Sequence, residues 1–369
     1  MRARLRIQSL AVTGLLITGL SACAPASFST TPTLPPVAGE RLALKDIEFL
    51  ANPLKYEGPS TALLSRAEIV APATAPPQTL PSTVTSDELG EPLSVEILST
   101  GRVLALDMSG SLAATVWALG FGENLVGRDI STTFPGVEDL PVVTGSGHAI
   151  SPESVLALRP DLIITDGTIG PLDVVLQLRD AGVSVVFVRE PAGLSAPAAM
   201  ARSVAAIFGA PDAGEQLANT LGVEIDAITE TIAGKAPVLR ENKLRMVFLY
   251  LRGANGIYYL FGEESGAGEL IEALGGVDIA TETGWVGMRP MTDEGLVAAN
   301  PDLILVMTDG LVSVGGAEEL VKEKPAIGLT RAGQKLRFVD MADSQVLSFG
   351  PRTPDVIDAL ARAIYAPEQ

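Results

Sequence analysis

Cysteine and histidine are almost absent from this chain of 369 residues, which contains one of each. A single cysteine excludes an intramolecular disulfide framework. A single histidine is too few for the histidine-rich sites that hold zinc or manganese. Basic residues are also scarce, since 26 Lys and Arg stand against 44 Asp and Glu. This acidity argues against binding to nucleic acid, or to an anionic membrane, through a basic patch.

The N-terminus has the pattern of a secretory signal peptide. Three arginines in the first six residues precede an apolar run over residues 10–20, which is too short to span a bilayer. The run ends in Leu20-Ser-Ala-Cys23, which resembles the lipobox of bacterial lipoproteins. We expect residues 1–22 to be removed and Cys23 to carry acyl chains, which would anchor the protein to the extracytoplasmic face of the cell membrane.

Residues 23–91 are rich in Pro, Ser and Thr and have no sustained periodicity, which is typical of a tether. One island in this segment, residues 42–64, carries Leu, Ile, Phe and Tyr. These side chains could form a short element that packs on the folded body.

From Val95 onward, short β-branched runs alternate with helical stretches, which is typical of βαβ units. The predicted strands cover residues 103–106, 162–165, 183–188, 245–251, 256–261, 303–307 and 336–339. The predicted helices cover residues 109–119, 152–158, 267–274, 293–298 and 354–364. Between the two sets, residues 195–232 are helical in pattern with a break near Pro211. The part after Pro211 could reach about 30 Å at 1.5 Å per residue, which is enough to bridge two lobes.

An internal repeat supports this division. The sequence SPESVLALRPDLIITDG of residues 151–167 is echoed by MTDEGLVAANPDLILVMTDG of residues 291–310. Both predict a short helix, a Pro-Asp turn, a buried strand and an Asp-Gly turn. We therefore expect an N-terminal α/β lobe (92–192), a bridging helical segment (193–236) and a C-terminal α/β lobe (237–369), with the ligand between the lobes.

These motifs, together with RVLALDMSGSLAATVWALG from Arg102, resemble the helical-backbone class of ABC-importer binding proteins, which carries vitamin B12, ferric siderophores and haem. The resemblance covers residues 94–366. It implies the class III periplasmic-binding-protein fold, an α/β fold whose two lobes, each a central sheet with flanking helices, are joined by one long helix. It also implies a permease partner, into which one acidic residue of each lobe docks. The matching positions are Glu153 and Glu294, although a carboxylate in a first helical turn is also favoured by the helix dipole.

Two short motifs suggest the ligand site. His148 lies in the Gly-rich segment Thr144-Gly-Ser-Gly-His-Ala149, and a loop after a strand is where an α/β fold binds its ligand. Tyr250 and Arg252 close a predicted strand on one face, because strand side chains alternate. A cation beside Tyr250 favours the phenolate, a hard anionic ligand that suits ferric iron. The alternatives to a ligand site are that His148 is a surface residue, that Tyr250 belongs to the core and that Arg252 is a solvated residue at the end of the strand.

Together with Phe349-Gly-Pro-Arg-Thr353, these motifs resemble those of HmuT-type haem-binding lipoproteins. The resemblance implies that His148 and Tyr250 are the axial ligands of the haem iron and that Arg252 supports the tyrosine. It also implies a methionine beside the haem. Met307 is the candidate for this methionine, and its rivals are Met288 and Met291. Further candidates for the haem pocket, including partners for the propionates, are Trp285, Arg289 and Arg352.

The expected function is therefore that of a lipid-anchored substrate-binding protein, which binds haem between its lobes and delivers it to the permease of an uptake transporter. A ferric siderophore or a corrinoid is the alternative ligand within the same class. An enzyme is disfavoured, because the sequence has no G-x-S-x-G motif and His148 belongs to no convincing triad.

Overall fold

The computed structural model describes residues 41–88, 90–251 and 258–367. The predicted signal peptide, Cys23 and Arg252 lie outside these residues. The strands are β1 (Ser60–Ala62), β2 (Ser82–Glu88), β3 (Glu91–Ile97), β4 (Val103–Leu106), β5 (Leu162–Thr165), β6 (Ser184–Phe187), β7 (Arg245–Leu251), β8 (Tyr258–Leu260), β9 (Val277–Asp278), β10 (Arg289–Pro290), β11 (Leu303–Met307) and β12 (Phe338–Met341).

The α-helices are α1 (Ser111–Ala118), α2 (Pro152–Leu158), α3 (Leu172–Asp180), α4 (Ala196–Ile207), α5 (Pro211–Ala233), α6 (Ala267–Ala273), α7 (Ile279–Glu282), α8 (Asp293–Ala299), α9 (Thr308–Ser313), α10 (Ala317–Glu323), α11 (Pro325–Gly328), α12 (Arg331–Gln334), α13 (Asp343–Val346) and α14 (Thr353–Tyr365). Short 3₁₀ helices cover Leu44–Asp46, Pro53–Lys55, Gly122–Asn124, Ser146–His148, Arg240–Asn242 and Glu263–Ser265.

The described residues build two main sheets. Strands β4, β5 and β6 form a parallel sheet in that order, and we call this sheet with α1–α4 the N lobe. The larger sheet has the order β1-β12-β11-β7-β8-β10, with β9 also paired to β7, and we call its strands β7–β12 with α6–α14 the C lobe. In the larger sheet β8 and β10 run antiparallel to their neighbours, while the other pairings are parallel.

The sequence repeat folds as one unit in both lobes. Each copy ends its helix at a residue in the left-handed region, Arg159 (φ 47°) and Asn300 (φ 44°), and a Pro-Asp turn follows. The aspartates, Asp161 and Asp302, then accept hydrogen bonds from the backbone N–H groups of Arg102 and Arg245 at 3.0 Å. The turn therefore joins a helix to a buried strand and also to a neighbouring strand.

Both arginines complete the unit in the same way. The side chain of Arg102 donates to the carbonyl of Leu158, and that of Arg245 donates to the carbonyl of Ala299. The last carbonyls of a helix have no partner within the helix and carry the negative end of its dipole. The guanidinium groups therefore cap α2 and α8 and fix each helix to its sheet.

Helix α5 contacts both lobes. Its first half packs Ala213 and Leu217 against the core of the N lobe, whereas its second half buries Ile225 and Ile232 in the core of the C lobe. It has 23 residues, so it extends about 34 Å. The break near Pro211 predicted from the sequence lies between α4, which ends at Ile207, and α5.

The segment that the sequence predicts as a tether is folded from residue 41 onward. Strand β1 pairs with β12 in parallel, and Leu44 and Ile47 are buried in the core of the C lobe. Further along the chain, β2 and β3 form an antiparallel hairpin, and Ile97 is buried in the core of the N lobe. The predicted island at residues 42–64 thus coincides with the part that packs on the C lobe.

We expect Asp302→Ala to lower the free energy of unfolding by about 2 kcal/mol, because the buried Asp302 carboxylate accepts the backbone N–H of Arg245 and pairs with Arg331. Urea unfolding followed by circular dichroism measures this change. The control is Asp180→Ala, an exposed carboxylate at the end of α3, for which the change should stay within about 0.5 kcal/mol. Equal stability of the two variants would contradict a structural role for the turn.

Candidate ligand site

The carboxyl ends of the strands of the two lobes face each other. After β12, the Ser344 hydroxyl lies 3.2 Å from the hydroxyl of Thr133 in the N lobe. Gly350 lies against the first turn of α1, where a Cβ atom would be 3.1 Å from the Ser111 side chain. Loops that follow parallel strands are the usual site of ligand binding in α/β folds. The candidate ligand residues of each lobe therefore lie on edges that face each other.

His148 lies in a tight loop of the N lobe. It ends the 3₁₀ turn Ser146–His148 with a left-handed backbone (φ 59°), and Gly147 before it has φ 72°. The loop is closed by the N–H of Gly145, which donates to the carbonyl of Ala149 at 2.7 Å. The imidazole is half-buried. The loop thus presents the only histidine of the sequence at the edge of the N lobe.

Two other loops are joined to the His148 loop at this edge. The N–H of Ile150 donates to the carbonyl of Gly170 at 2.7 Å, and the Thr168 hydroxyl accepts from the N–H of Met108 at 2.9 Å. Met108 follows β4 and is 51% exposed, which is unusual for a methionine next to a buried strand. Sequence reasoning missed Met108, since nothing in its local pattern distinguishes it from a core residue.

Tyr250 occupies the end of β7 in the C lobe, and its neighbours follow from the strand register. Tyr250 pairs with Tyr259 of β8. On its other side, Leu249 of β7 pairs with Val306 of β11, so the next residues of these two parallel strands, Tyr250 and Met307, lie side by side. Directly paired residues share a face of the sheet. Met307, Tyr250 and Tyr259 therefore form a row across three adjacent strands, and all three are half-buried.

Aromatic rings extend this row. The Tyr250 ring lies 6.5 Å from that of Tyr259 and 6.3 Å from that of Phe261, the latter at an interplanar angle of 80°. Phe261 also packs edge-on against Phe248 at 5.2 Å. These distances are in the range of favourable aromatic pairs. We call Met307, Tyr250, Tyr259 and Phe261 the aromatic row. Phe261 directly follows β8 and is two positions after Tyr259, so a period-2 pattern over residues 258–261 places both on one face.

Tyr258 points to the other face of the sheet. Its hydroxyl donates to the Asp293 carboxylate at 2.6 Å, and its ring belongs to the core cluster that also contains Leu249 and Leu251. Burial and the nearby Asp293 raise the pKa of the Tyr258 hydroxyl above its ordinary value. Tyr258 is therefore held as a neutral phenol, which is a poor ligand for ferric iron.

The predicted pocket residues at 285–291 are also separated from Tyr250. Trp285 and Met291 pack against the core cluster on the face opposite the aromatic row. The Trp285 indole N–H donates to the carbonyl of Leu260 at 3.2 Å, and the Arg289 guanidinium stacks 4.9 Å above the indole ring. Met288 is 54% exposed. Of the three candidate methionines, Met307 is the one that lies beside Tyr250.

Arg352 lines a different part of the molecule. It is 6% exposed, and its guanidinium donates to the carbonyl of Ser344 at 3.4 Å. Burial lowers its pKa to about 10. The residue lines a cavity of about 620 Å³ whose wall includes α5 and residues 66–77, and Tyr250 and Met307 do not contribute to this lining. Arg352 also precedes α14 as its N-cap residue.

Glu153 and Glu294 occupy equivalent positions in the two lobes. Each is exposed in the first turn of a short helix, α2 or α8, whose N-terminus is capped by the side chain of Ser151 or Thr292. Neither glutamate belongs to the aromatic row or to the His148 loop. The two carboxylates are therefore available to a partner that contacts both lobes.

Carboxylates cluster beneath the edge of the N lobe, which the sequence did not predict. Asp107 accepts from the N–H groups of Ser111 and Leu112 at the start of α1 and donates its own N–H to Asp129. Burial, together with the nearby Asp107, raises the pKa of Asp129 to about 7 and that of Asp166 to about 6. Within the described residues, no group of three or more His, Cys, Asp or Glu could hold a metal ion.

None of the helices in the described parts of the chain combines the length and the apolar character needed to cross a membrane.

Comparison with known proteins identifies the family. Residues 108–344 match the model of the periplasmic binding protein family, and the chain belongs to this family. The crystal structure of the haem-binding protein HmuT has a TM-score of 0.78 and 36% sequence identity, and the match covers 86% of this chain and 100% of that chain. The predicted resemblance to HmuT-type proteins and the predicted class III fold are thereby confirmed.

Two curated relatives are more distant. An uncharacterized ABC transporter substrate-binding lipoprotein of Bacillus subtilis, YvrC, is 27% identical over 253 residues, which are 68% of this chain and 76% of that protein. A cobalamin-binding protein of Halobacterium salinarum is 24% identical over 273 residues, which are 72% of this chain and 69% of that protein. The family and these neighbours are binding proteins. A substrate-binding role with an ABC transporter, the broader part of the predicted function, is supported by this membership.

Proposed function

We propose that this protein is the haem-binding lipoprotein of an ABC importer and that it holds the haem iron between His148 and Tyr250. The observation that carries the proposal is the position of Tyr250 in the aromatic row, at the edge of the C lobe that faces the lobe of His148. A half-buried phenol between a methionine and two aromatic rings offers one iron ligand together with an apolar wall for a porphyrin.

The identity of the structural neighbours supports haem as the ligand. HmuT is described as a haem-binding protein, and its structure has also been determined with a histidine, a tyrosine or an arginine replaced by alanine. In HmuT the replaced arginine follows the replaced tyrosine by two positions, which is also the spacing from Tyr250 to Arg252. We assign Arg252 the role of stabilising the Tyr250 phenolate, since a charge-assisted hydrogen bond lowers the cost of the anion.

The remaining pocket roles follow from distance to Tyr250. Met307 is next to Tyr250 on the same face, so we assign it to the haem side of the site. Trp285 and Arg289 stack together on the face of the sheet opposite the aromatic row, so we do not assign them to haem. Arg352 faces the separate cavity and is not assigned to haem.

A corrinoid is the second candidate, because one curated relative is a cobalamin-binding protein. Corrinoid and haem differ in whether Tyr250 can serve as an axial ligand of the metal. A cobalamin brings its own ring and axial base, whereas ferric haem has open axial positions that a phenolate and an imidazole can fill. The residue pattern of His148 and Tyr250 therefore favours haem.

Titration of the purified protein with haemin should shift the Soret band and saturate at one haem per chain. The variant Tyr250→Phe should lose the phenolate-to-iron charge-transfer band and bind haemin much more weakly. His148→Ala should retain that band and give a five-coordinate, high-spin iron. Arg252→Ala should weaken binding by a smaller factor, about tenfold, because it acts on the phenolate without touching the metal.

Tyr259→Phe is the matched control, since Tyr259 is the cross-strand partner of Tyr250 and is also half-buried. It should keep the parent spectrum. A titration with aquocobalamin tests the alternative. Tight binding of cobalamin without a haemin-dependent Soret shift would show that the ligand is a corrinoid and not haem. A haem spectrum that changes in Tyr259→Phe but not in Tyr250→Phe would show that Tyr259 is the iron ligand.

The docking role of Glu153 and Glu294 is part of the same proposal. We expect the double variant Glu153→Ala with Glu294→Ala to impair haem uptake by cells while leaving haemin binding unchanged, because both exposed carboxylates lie outside the aromatic row and the His148 loop. Charges at the rim of an interface act mainly on association. The control is the double variant Asp173→Ala with Glu318→Ala, which lacks two other exposed carboxylates, one from each lobe. Cells that carry this variant should take up haem normally. Equal haem uptake by both double variants would show that Glu153 and Glu294 take no part in docking.

Anchoring through Cys23 places the protein at the outer face of the membrane in this proposal. We expect Cys23→Ala to accumulate as precursor or to leave the membrane fraction, because the acyl chains supply the anchoring free energy. Metabolic labelling with radioactive palmitate measures the modification directly. Labelling that persists in Cys23→Ala would show that the acyl chains are carried elsewhere.

A further inference from the structure

The N-terminal segment of the folded body connects the two lobes a second time, in addition to α5. Residues 41–64 are bound to the C lobe. The Phe49 ring stacks on Tyr365 at 4.9 Å, the Leu50 N–H donates to the carbonyl of the same Tyr365 at 2.8 Å, and Ser60 donates to the carbonyl of Ala363 at 2.7 Å.

The following residues are bound to the N lobe. Ile69 is 7% exposed within the core of that lobe, and the Thr79 N–H donates to the carbonyl of Gly209 at 2.9 Å. Ser82 donates to the carbonyl of Ile207 at 2.8 Å, and the hydroxyl of Ser86 accepts the N–H of Phe187 in β6. The chain therefore crosses from one lobe to the other before residue 69.

The crossing is short. Its last attachment to the C lobe is the ion pair of Arg66 with Asp355 of α14 at 3.0 Å, and its first attachment to the N lobe is the buried Ile69. Three peptide units separate the two residues, so their Cα atoms can be at most about 11 Å apart. Arg66 is held through an exposed side chain, and the last buried anchor in the C lobe is Leu64, five peptide units before Ile69. The chain between these two buried anchors spans at most about 18 Å, which limits how far the lobes can separate at this point.

The crossing lies beside α5. Residues 66–77 form one wall of the 620 Å³ cavity, and the wall also contains α5 residues from Asp212 to Glu224 as well as Pro351 and Arg352 of the C lobe. Because α5 is packed into both lobes, rotation of one lobe against the other about its axis must twist the helix itself. A second, short connection at the side of the helix prevents that rotation and leaves bending as the motion that remains.

We infer that residues 66–69 act as a second covalent hinge, which suppresses twisting of the lobes about α5 and limits their opening. The cavity beside the crossing gives the hinge space in which to bend. One consequence of the hinge rests on the proposed function. The hinge keeps His148 and Tyr250 at a nearly fixed separation before the ligand enters, so less ordering of the lobes is required on binding.

The test compares two insertions of the same six residues, Gly-Gly-Ser-Gly-Gly-Ser. One is placed between Ala67 and Glu68, within the crossing, and the other between Thr74 and Ala75, which are exposed and lie after Ile69. The mature chain with Cys23→Ser contains no other cysteine. Spin labels can therefore be attached specifically through Gln177→Cys of α3 and Glu318→Cys of α10, both at exposed positions.

Pulsed electron paramagnetic resonance of the ligand-free protein should show a broader distance distribution for the crossing insertion than for the parent. The control insertion should match the parent, since it lengthens the chain between two points of one lobe. Melting temperatures of both variants should stay close to that of the parent, which separates loss of the hinge from loss of the fold. Unchanged distributions in both insertions, or equal broadening in both, would overturn the hinge.

Haem dissociation gives a second readout. Lengthening the chain between Leu64 and Ile69 from five to eleven peptide units should speed dissociation by at most about threefold, the factor that the three-halves power of chain length gives for a flexible loop, because α5 still joins the lobes. A protein that binds no haemin at all would refute the proposed function and leave the distance measurement intact. Broadened distances with unchanged dissociation would keep the hinge but remove its effect on the ligand.

Discussion

The Pro-Asp turn after a short helix is the constraint on which both lobes depend. In each lobe the aspartate accepts the backbone N–H of an arginine that begins or directly precedes the neighbouring strand, and the side chain of the same arginine caps the helix. The start of the helix carries an exposed glutamate, and the strand after the turn ends at the edge where the lobes meet. Because this arrangement occurs twice, the two exposed glutamates occupy equivalent positions in the two lobes.

Much of this architecture is predictable from local sequence. The strands over 103–106, 162–165, 245–251 and 303–307 and the helix over 152–158 have the predicted bounds, because β-branched runs and the Pro-Asp signal are local. The predicted strand at 336–339 begins later, at Phe338, since Leu336 has a left-handed φ of 51° in the turn after α12. Strand β1 was not predicted. Three residues have no recognisable period, and their partners in β12 lie 279 positions away.

The candidate site shows the same division between local and nonlocal information. His148 and Tyr250 stand out in short motifs, and Met307 is at a strand end that the repeat reveals. That Met307 lies beside Tyr250 depends on the register of β11 and β7, which no local pattern contains. Trp285 and Met291 were grouped with the site by composition, but the sheet separates them from Tyr250. Arg352 belongs to the motif Phe349-Gly-Pro-Arg-Thr353, which suggested a propionate partner, yet it is buried beside α5 and lines the separate cavity.

Strand β1 forms one edge of the larger sheet, with β12 as its neighbour. The family match begins at residue 108, so a fragment cut to the family boundaries would lose β1 and leave the backbone groups of β12 without partners on that side. An uncovered strand edge of this kind is a template for pairing with other chains. Leu44 and Ile47 would be missing as well, and the apolar surface that they cover would become exposed to solvent. The sheet edge and the core of the C lobe therefore depend on residues 44–62, which lie well before the part of the chain that defines its family.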